Sequence, residues 1–244
     1  MIKLLSFAFA LSLLLRSSAL AAPMCITDTL AGYTGLGSTG CEIGSGTFSA
    51  FGTLLPITGA EPIAPEDVTI APVQSGSIIG LDVRFNAATT ASVELLQALI
   101  AYMVAAPSVN SSTVTVSGTA VTGGGFLTEI QNFCAGGTFL PGDVNGCTGT
   151  SGSLVVLNAG SDQATFAAVS QLSVVHDFTL DAGSGGTAGG GLISDRFSVG
   201  NSQVIPEPRT YVLMSSALLA IALRSRFSSR ARKVRLTGGQ NENA

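Results

Sequence analysis

The chain has 244 residues, of which 11% are charged and 46% apolar, with 30 glycines and a formal net charge of −4. Ordinary globular domains carry about 25% charged residues, and a chain so acidic and so poor in charge is not a nucleic-acid binder, a collagen or a long coiled coil. Valine, isoleucine, leucine and phenylalanine are too plentiful for a disordered chain, and the length fits one β-rich domain with processing segments at its ends.

Residues 1–21 read as a secretory signal peptide. Lys3 supplies the positive start, Leu4 to Leu15 form an apolar run, and Ala19-Leu20-Ala21 is an A-x-A cleavage site. The apolar run is short of the roughly 20 residues that span a bilayer. Residues 22–203 then form the expected folded domain. They carry Arg84 and Arg196 against 13 acids, a net −11 hidden by the basic residues at the two ends. That surface repels nucleic acid and anionic lipid.

Short alternating runs follow one another along this domain. They are Thr47 to Phe51, Val68 to Ile70, Ile78 to Phe85, Thr113 to Ser117, Phe126 to Phe133, Leu154 to Leu157 and Ser173 to Leu180. Ala91 to Ala106 fits either a helix or a strand and is assigned here to a strand. Glycine, proline, asparagine and aspartate separate the runs, the pattern of a β-sandwich or barrel. Gly183 to Gly191 reads as a glycine-rich loop. The expected fold is all-β: a single β-sandwich, jelly-roll-like.

Cys25, Cys41, Cys134 and Cys147 form two local pairs in an exported chain, which points to disulfides. Of the three connectivities that four cysteines allow, Cys25–Cys41 and Cys134–Cys147 close the short loops and are the expected pairs. No C-x-x-C spacing exists and there is one histidine, so no metal site is expected.

Several motifs imitate chemistry. Gly35 to Gly40 is a literal G-x-G-x-x-G, and Gly183 to Ala188 a looser one, but neither is followed by a sequence able to form the helix that receives a pyrophosphate. No cofactor is expected. Asp143-Val144-Asn145-Gly146 resembles the start of a calcium loop, yet the next ligands are missing and an Asx-type turn is the plainer reading. His176, the single histidine, would share a strand face with Val174, Phe178 and Leu180, with Asp177 opposite. That setting suits a packed core histidine better than a general base. The acid pairs Glu66–Asp67 and Asp177–Asp181 look like solvated surface, not hydrolase carboxylates. No catalytic residue is assigned.

The C-terminus holds Pro206-Glu207-Pro208, an apolar run from Tyr211 to Leu223, and a basic tail of Arg224, Arg226, Arg230, Arg232, Lys233 and Arg235. Basic residues behind an apolar segment stay cytoplasmic, so the run reads as a short transmembrane helix within a three-part segment at 204–235. Residues 236–244 read as a disordered tail. In this order the three elements, with the signal peptide, resemble the PEP-CTERM family. The resemblance implies sorting and processing by exosortase in a Gram-negative, exopolysaccharide-producing bacterium. It implies transient residence in the inner membrane, then release to the outer envelope or extracellular matrix. Gly37 to Ile43, Thr47 to Ser49 and the region from Asp181 to Val199 also resemble extracellular domains of PEP-CTERM proteins, which have no established chemistry.

The expectation is therefore an exported, non-enzymatic surface or matrix protein with a structural or adhesive role alongside exopolysaccharide. Its rivals are a polysaccharide- or calcium-binding module, a cryptic hydrolase built on His176 or an acid pair, and a permanently anchored membrane protein in a host lacking exosortase.

Overall fold

A computed structural model of the chain describes residues 22–54, 56–89, 95–140 and 143–200. Strand β1 (Asp28–Thr29) runs straight into helix α1 (Leu30–Gly35), whose first turn is capped by Thr29 Oγ1 accepting from Gly32 N at 3.2 Å. Then come β2 (Cys41–Ile43), β3 (Gly46–Leu54), β4 (Glu61–Pro62), a 3-10 turn at Pro65–Asp67, β5 (Val68–Ser75), β6 (Ile78–Phe85) and β7 (Ala88–Thr89). The second half holds β8 (Leu95–Thr122), β9 (Phe126–Ala135), β10 (Phe139–Leu140), β11 (Asp143–Cys147), β12 (Thr150–Leu157), β13 (Gly160–Asp181) and β14 (Thr187–Val199).

Twelve strands belong to one hydrogen-bonded sheet with the main order β1-β5-β6-β14-β8-β13-β9-β12, while β10 and β11 form a separate hairpin. The sheet becomes sandwich-like because β8 and β13 each serve both layers. Residues 95–105 of β8 pair with β3 and with 171–181 of β13; residues 109–122 pair with β14 and with 160–169 of β13. Between the halves the ladder is interrupted on β13 at Thr165, Val169 and Gln171. The inward row of β8 changes phase at the same place, from Ala98, Ile100, Tyr102, Val104 and Ala106 to Val109 and then Ser112, Val114 and Val116. A bulge of this kind bends a strand and re-aims its side chains.

The first layer is thus β3, the start of β8, the end of β13, β9 and β12. The second is the start of β13, the end of β8, β14, β6, β5 and β1. Aromatic rings close the space between them. Phe85 of the second layer stacks on Phe178 of the first at 3.8 Å between ring centroids, and Phe48 faces Phe197 at 6.1 Å. Disulfides Cys25–Cys41 and Cys134–Cys147 fasten the N-terminal segment to β2 and the β10–β11 hairpin to β9.

These observations correct several expectations. The fold is all-β and sandwich-like, but it is not a jelly roll of short strands: two strands, of 28 and 22 residues, each run through both layers. Gly189, Gly190 and Gly191 lie within β14, so the glycine-rich loop shrinks to the turn before Thr187. The transmembrane helix, and with it the transient inner-membrane location, is also corrected: among the described residues no helix is long and apolar enough to cross a membrane. The Tyr211 to Leu223 run on which both rested lies outside the described residues, as do the signal peptide, Pro206, Glu207, Pro208 and the basic tail from Arg224 to Arg235.

Candidate functional site

Strand alternation places four polar side chains of the first layer on its inner face: Tyr102 from β8, Glu129 and Gln131 from β9, and His176 from β13. Asp195 of β14 and Ser112 of β8 meet them from the second layer. All six are at most 2% exposed.

His176 is the centre. Its Nδ1 lies 2.6 Å from Glu129 Oε1, and its Nε2 lies 3.1 Å from both Asp195 Oδ2 and the Tyr102 hydroxyl. The Tyr102 hydroxyl donates to Asp195 Oδ2. Gln131 Nε2 donates to Ser112 Oγ at 3.0 Å and reaches each Asp195 oxygen at 3.2 Å. Among the described residues two buried side-chain atoms have no hydrogen-bond partner, Glu129 Oε2 and Gln131 Oε1. Gly80 of β6 lets β14 lie close here, since a Cβ at Gly80 would strike the Asp195 carbonyl.

The electrostatics follow from burial and pairing. Burial by itself lowers a histidine, but the Glu129 and Asp195 carboxylates outweigh it and hold His176 at about 10, against an ordinary 6.5. Burial is also the largest influence on Glu129 and pushes its carboxyl up, against the pull of His176. Burial, then the Asp195 charge, raises Tyr102 well above its ordinary range, so it remains a donor. An imidazolium between two carboxylates, closed to solvent, has no path to an outside substrate. Whatever this cluster does, it does within the protein.

The expected face-sharing of His176 with Val174, Phe178 and Leu180 is present, and Asp177 points the other way, accepting from Gln97 Nε2 at 2.7 Å. The apolar surroundings expected of His176 are not: its partners arrive from β9, β8 and β14. Glu129 and Gln131 share the inner face of β9 with Leu127 and Phe133, and Asp195 stands between Ile193 and Phe197 on β14. Acids in phase with core residues were the available signal for this cluster.

Among the described residues no group of three or more His, Cys, Asp or Glu is arranged to hold a metal ion. The Gly35 to Gly40 motif follows α1 instead of preceding a helix, with Gly37 and Gly40 at φ of 56° and 63°, the reverse of a dinucleotide site.

An open groove of about 460 Å³ lies on the outer face of the second layer. Arg84, Leu192 and Ser117 are cross-strand neighbours on β6, β14 and β8, and they line it with Asn86 and the glycines 118, 190 and 191. Arg196, the other arginine of this domain, is held by Asp82 at 2.5 Å. Arg84 is exposed and has no ion pair among the described residues.

No protein-family model and no curated protein matches the chain. Among solved structures it is similar to TmCBM61 in complex with beta-1,4-galactotriose, at 12% identity over 57% of this chain and 90% of that chain, with a TM-score of 0.30. A likeness of that extent carries no argument about the groove or the buried cluster.

Proposed function

We propose that this chain is an exported, non-catalytic β-domain that holds polysaccharide in the groove around Arg84. The observation that carries the reading is an exposed guanidinium, without an ion pair among the described residues, at an open groove in a domain whose other charges are almost all acidic. A guanidinium presents five donors in a rigid fork, which suits vicinal hydroxyls or a sugar carboxylate. Asn86 and Ser117 add groups that both donate and accept. The glycines keep the groove floor open to a flat ring. Phe85 is turned inward onto Phe178, so the groove offers no aromatic platform. Binding at this one site is accordingly weak.

Export is supported by the signal-like residues 1–21 and by two disulfides, which persist in oxidising compartments. Exosortase processing at Pro206-Glu207-Pro208 belongs to the same proposal, supported by the motif. The domain then serves as a structural or adhesive element of an exopolysaccharide matrix.

The test is affinity electrophoresis of the secreted protein through gels containing a panel of polysaccharides. At least one polymer should retard the wild type, and Arg84→Ala should lose most of that retardation with an unchanged melting temperature. No retardation by any polymer, or equal retardation of the variant, overturns the reading.

A further inference from the structure

We infer that Ser112 and Gln131 become joined by an intramolecular ester bond across the core. The inference does not depend on polysaccharide binding.

Three observations carry it. First, a hydroxyl nucleophile and a carboxamide are held together in a closed space. Ser112 and Gln131 are both 0% exposed, and Ser112 Oγ lies 3.0 Å from Gln131 Nε2. Holding the two groups side by side supplies part of what a bimolecular reaction lacks; the attack itself requires the Ser112 oxygen, which at rest accepts from Nε2, to turn onto Cδ. Second, the amide is incompletely satisfied. Its Nε2 has three acceptors around it, while its Oε1 is buried without a partner. A buried carbonyl without a donor is costly, and an ester carbonyl is a weaker acceptor that suffers less from this position. Third, proton-handling groups stand on the nitrogen side of the amide. Both Asp195 oxygens are 3.2 Å from Nε2, and His176, Tyr102 and Glu129 extend the chain of hydrogen bonds behind Asp195.

The reaction follows from that placement. Ser112 Oγ attacks Cδ of Gln131, and a C–O bond forms. Once bonded to the same carbon, Oγ and Nε2 are neighbours, so the Asp195 carboxylate beside Nε2 takes the serine proton and returns it to that nitrogen. The C–N bond breaks and ammonia leaves. One amide and one alcohol become one ester and one ammonia, with no change of oxidation state and no other reactant. Ammonia takes up a proton on reaching water at neutral pH, which draws the reaction forward. Exclusion of water protects the product from hydrolysis. The bond would join the second-layer half of β8 to β9 of the first layer, 19 residues apart in sequence. It would thus tie the two layers to each other through covalent atoms.

The experiment is mass spectrometry of the secreted full chain, denatured and with its cysteines reduced. The protein should be lighter by one ammonia, about 17 Da, than the sequence between its two observed termini requires. Chymotrypsin cuts after Tyr102, Phe126, Leu127 and Phe133, and the fragment holding Ser112 should emerge joined to the fragment holding Gln131. Alkaline hydroxylamine should separate the two. Ser112→Ala should restore the full sequence mass, as should Gln131→Glu. A full-mass wild type overturns the inference. So does a deficit that survives Ser112→Ala, because a succinimide at Asn145-Gly146 loses the same ammonia. Should either variant fail to fold, the joined or separate fragments of the wild type decide the matter alone.

Discussion

Replacing His176 by leucine removes the cation that stands between Glu129 and Asp195. Glu129 Oε1 loses a 2.6 Å partner and Asp195 Oδ2 a 3.1 Å partner. Neither carboxylate has solvent to turn to, since both are 0% exposed. Breaking a buried ion pair from one side costs about 3–5 kcal/mol, more than the pair itself contributes, because the remaining charge is stranded. For a domain of this size each kcal/mol moves the melting point by about 2–4 °C, so H176L should melt on the order of 10 °C lower at pH 8. The cost should shrink in acid, because burial has already pushed the Glu129 carboxyl up and a proton there removes one stranded charge. Urea unfolding of wild type and H176L at pH 8 and pH 5, with the disulfides intact, measures both effects. A loss under about 1 kcal/mol at pH 8, below the ordinary range for a stranded buried charge, would refute the electrostatic reasoning. An equal loss at the two pH values would do the same.

The wild type should itself be weakest in alkali. The folded state binds the His176 proton up to about pH 10, and the unfolded state releases it near 6.5. The folded state therefore holds the extra proton between those values; this contribution is whole below pH 6.5 and disappears as pH rises through 10. The slope in between approaches about 1.4 kcal/mol per pH unit, and Glu129, also raised, acts in the same direction. Denaturant melts from pH 6 to 10 read it directly. Gly80→Ala should push β14 away from β6 and loosen Asp195, destabilising the fold by about 1–3 kcal/mol as overpacking does; a thermal melt checks this. Cys134→Ser opens a loop of 13 residues and should cost roughly 3 kcal/mol by loop entropy, with faster proteolysis of the β10–β11 hairpin as the local readout.

Much of the sheet was legible because alternation is a local signal. Ile78 to Phe85 and Ser173 to Leu180 declare an inward row without reference to any other strand. Layer membership was not legible. Thr113 to Ser117 and the run ending at Ala106 read as two short strands, because the bend between them depends on the bulge opposite, on β13. The buried cluster stayed hidden for a related reason. Glu129 and Asp195 each look like surface acids taken singly, and only cross-layer packing brings them to His176. In β9, Phe126 and Ile130 alternate as well as Leu127 and Phe133 do, so the pattern alone left the inward row of that strand undecided. The groove needed the structure outright: Arg84, Ser117 and Gly190 are remote in sequence and become neighbours through the β6–β14–β8 order.

Hydrogen exchange of the secreted protein, with and without the polysaccharide that retards it, tests the central claim most directly. Binding in the groove predicts added protection confined to the segments 84–87, 117–118 and 190–192, and its disappearance in Arg84→Ala. Protection elsewhere on the domain, or none with polymer bound, would contradict it.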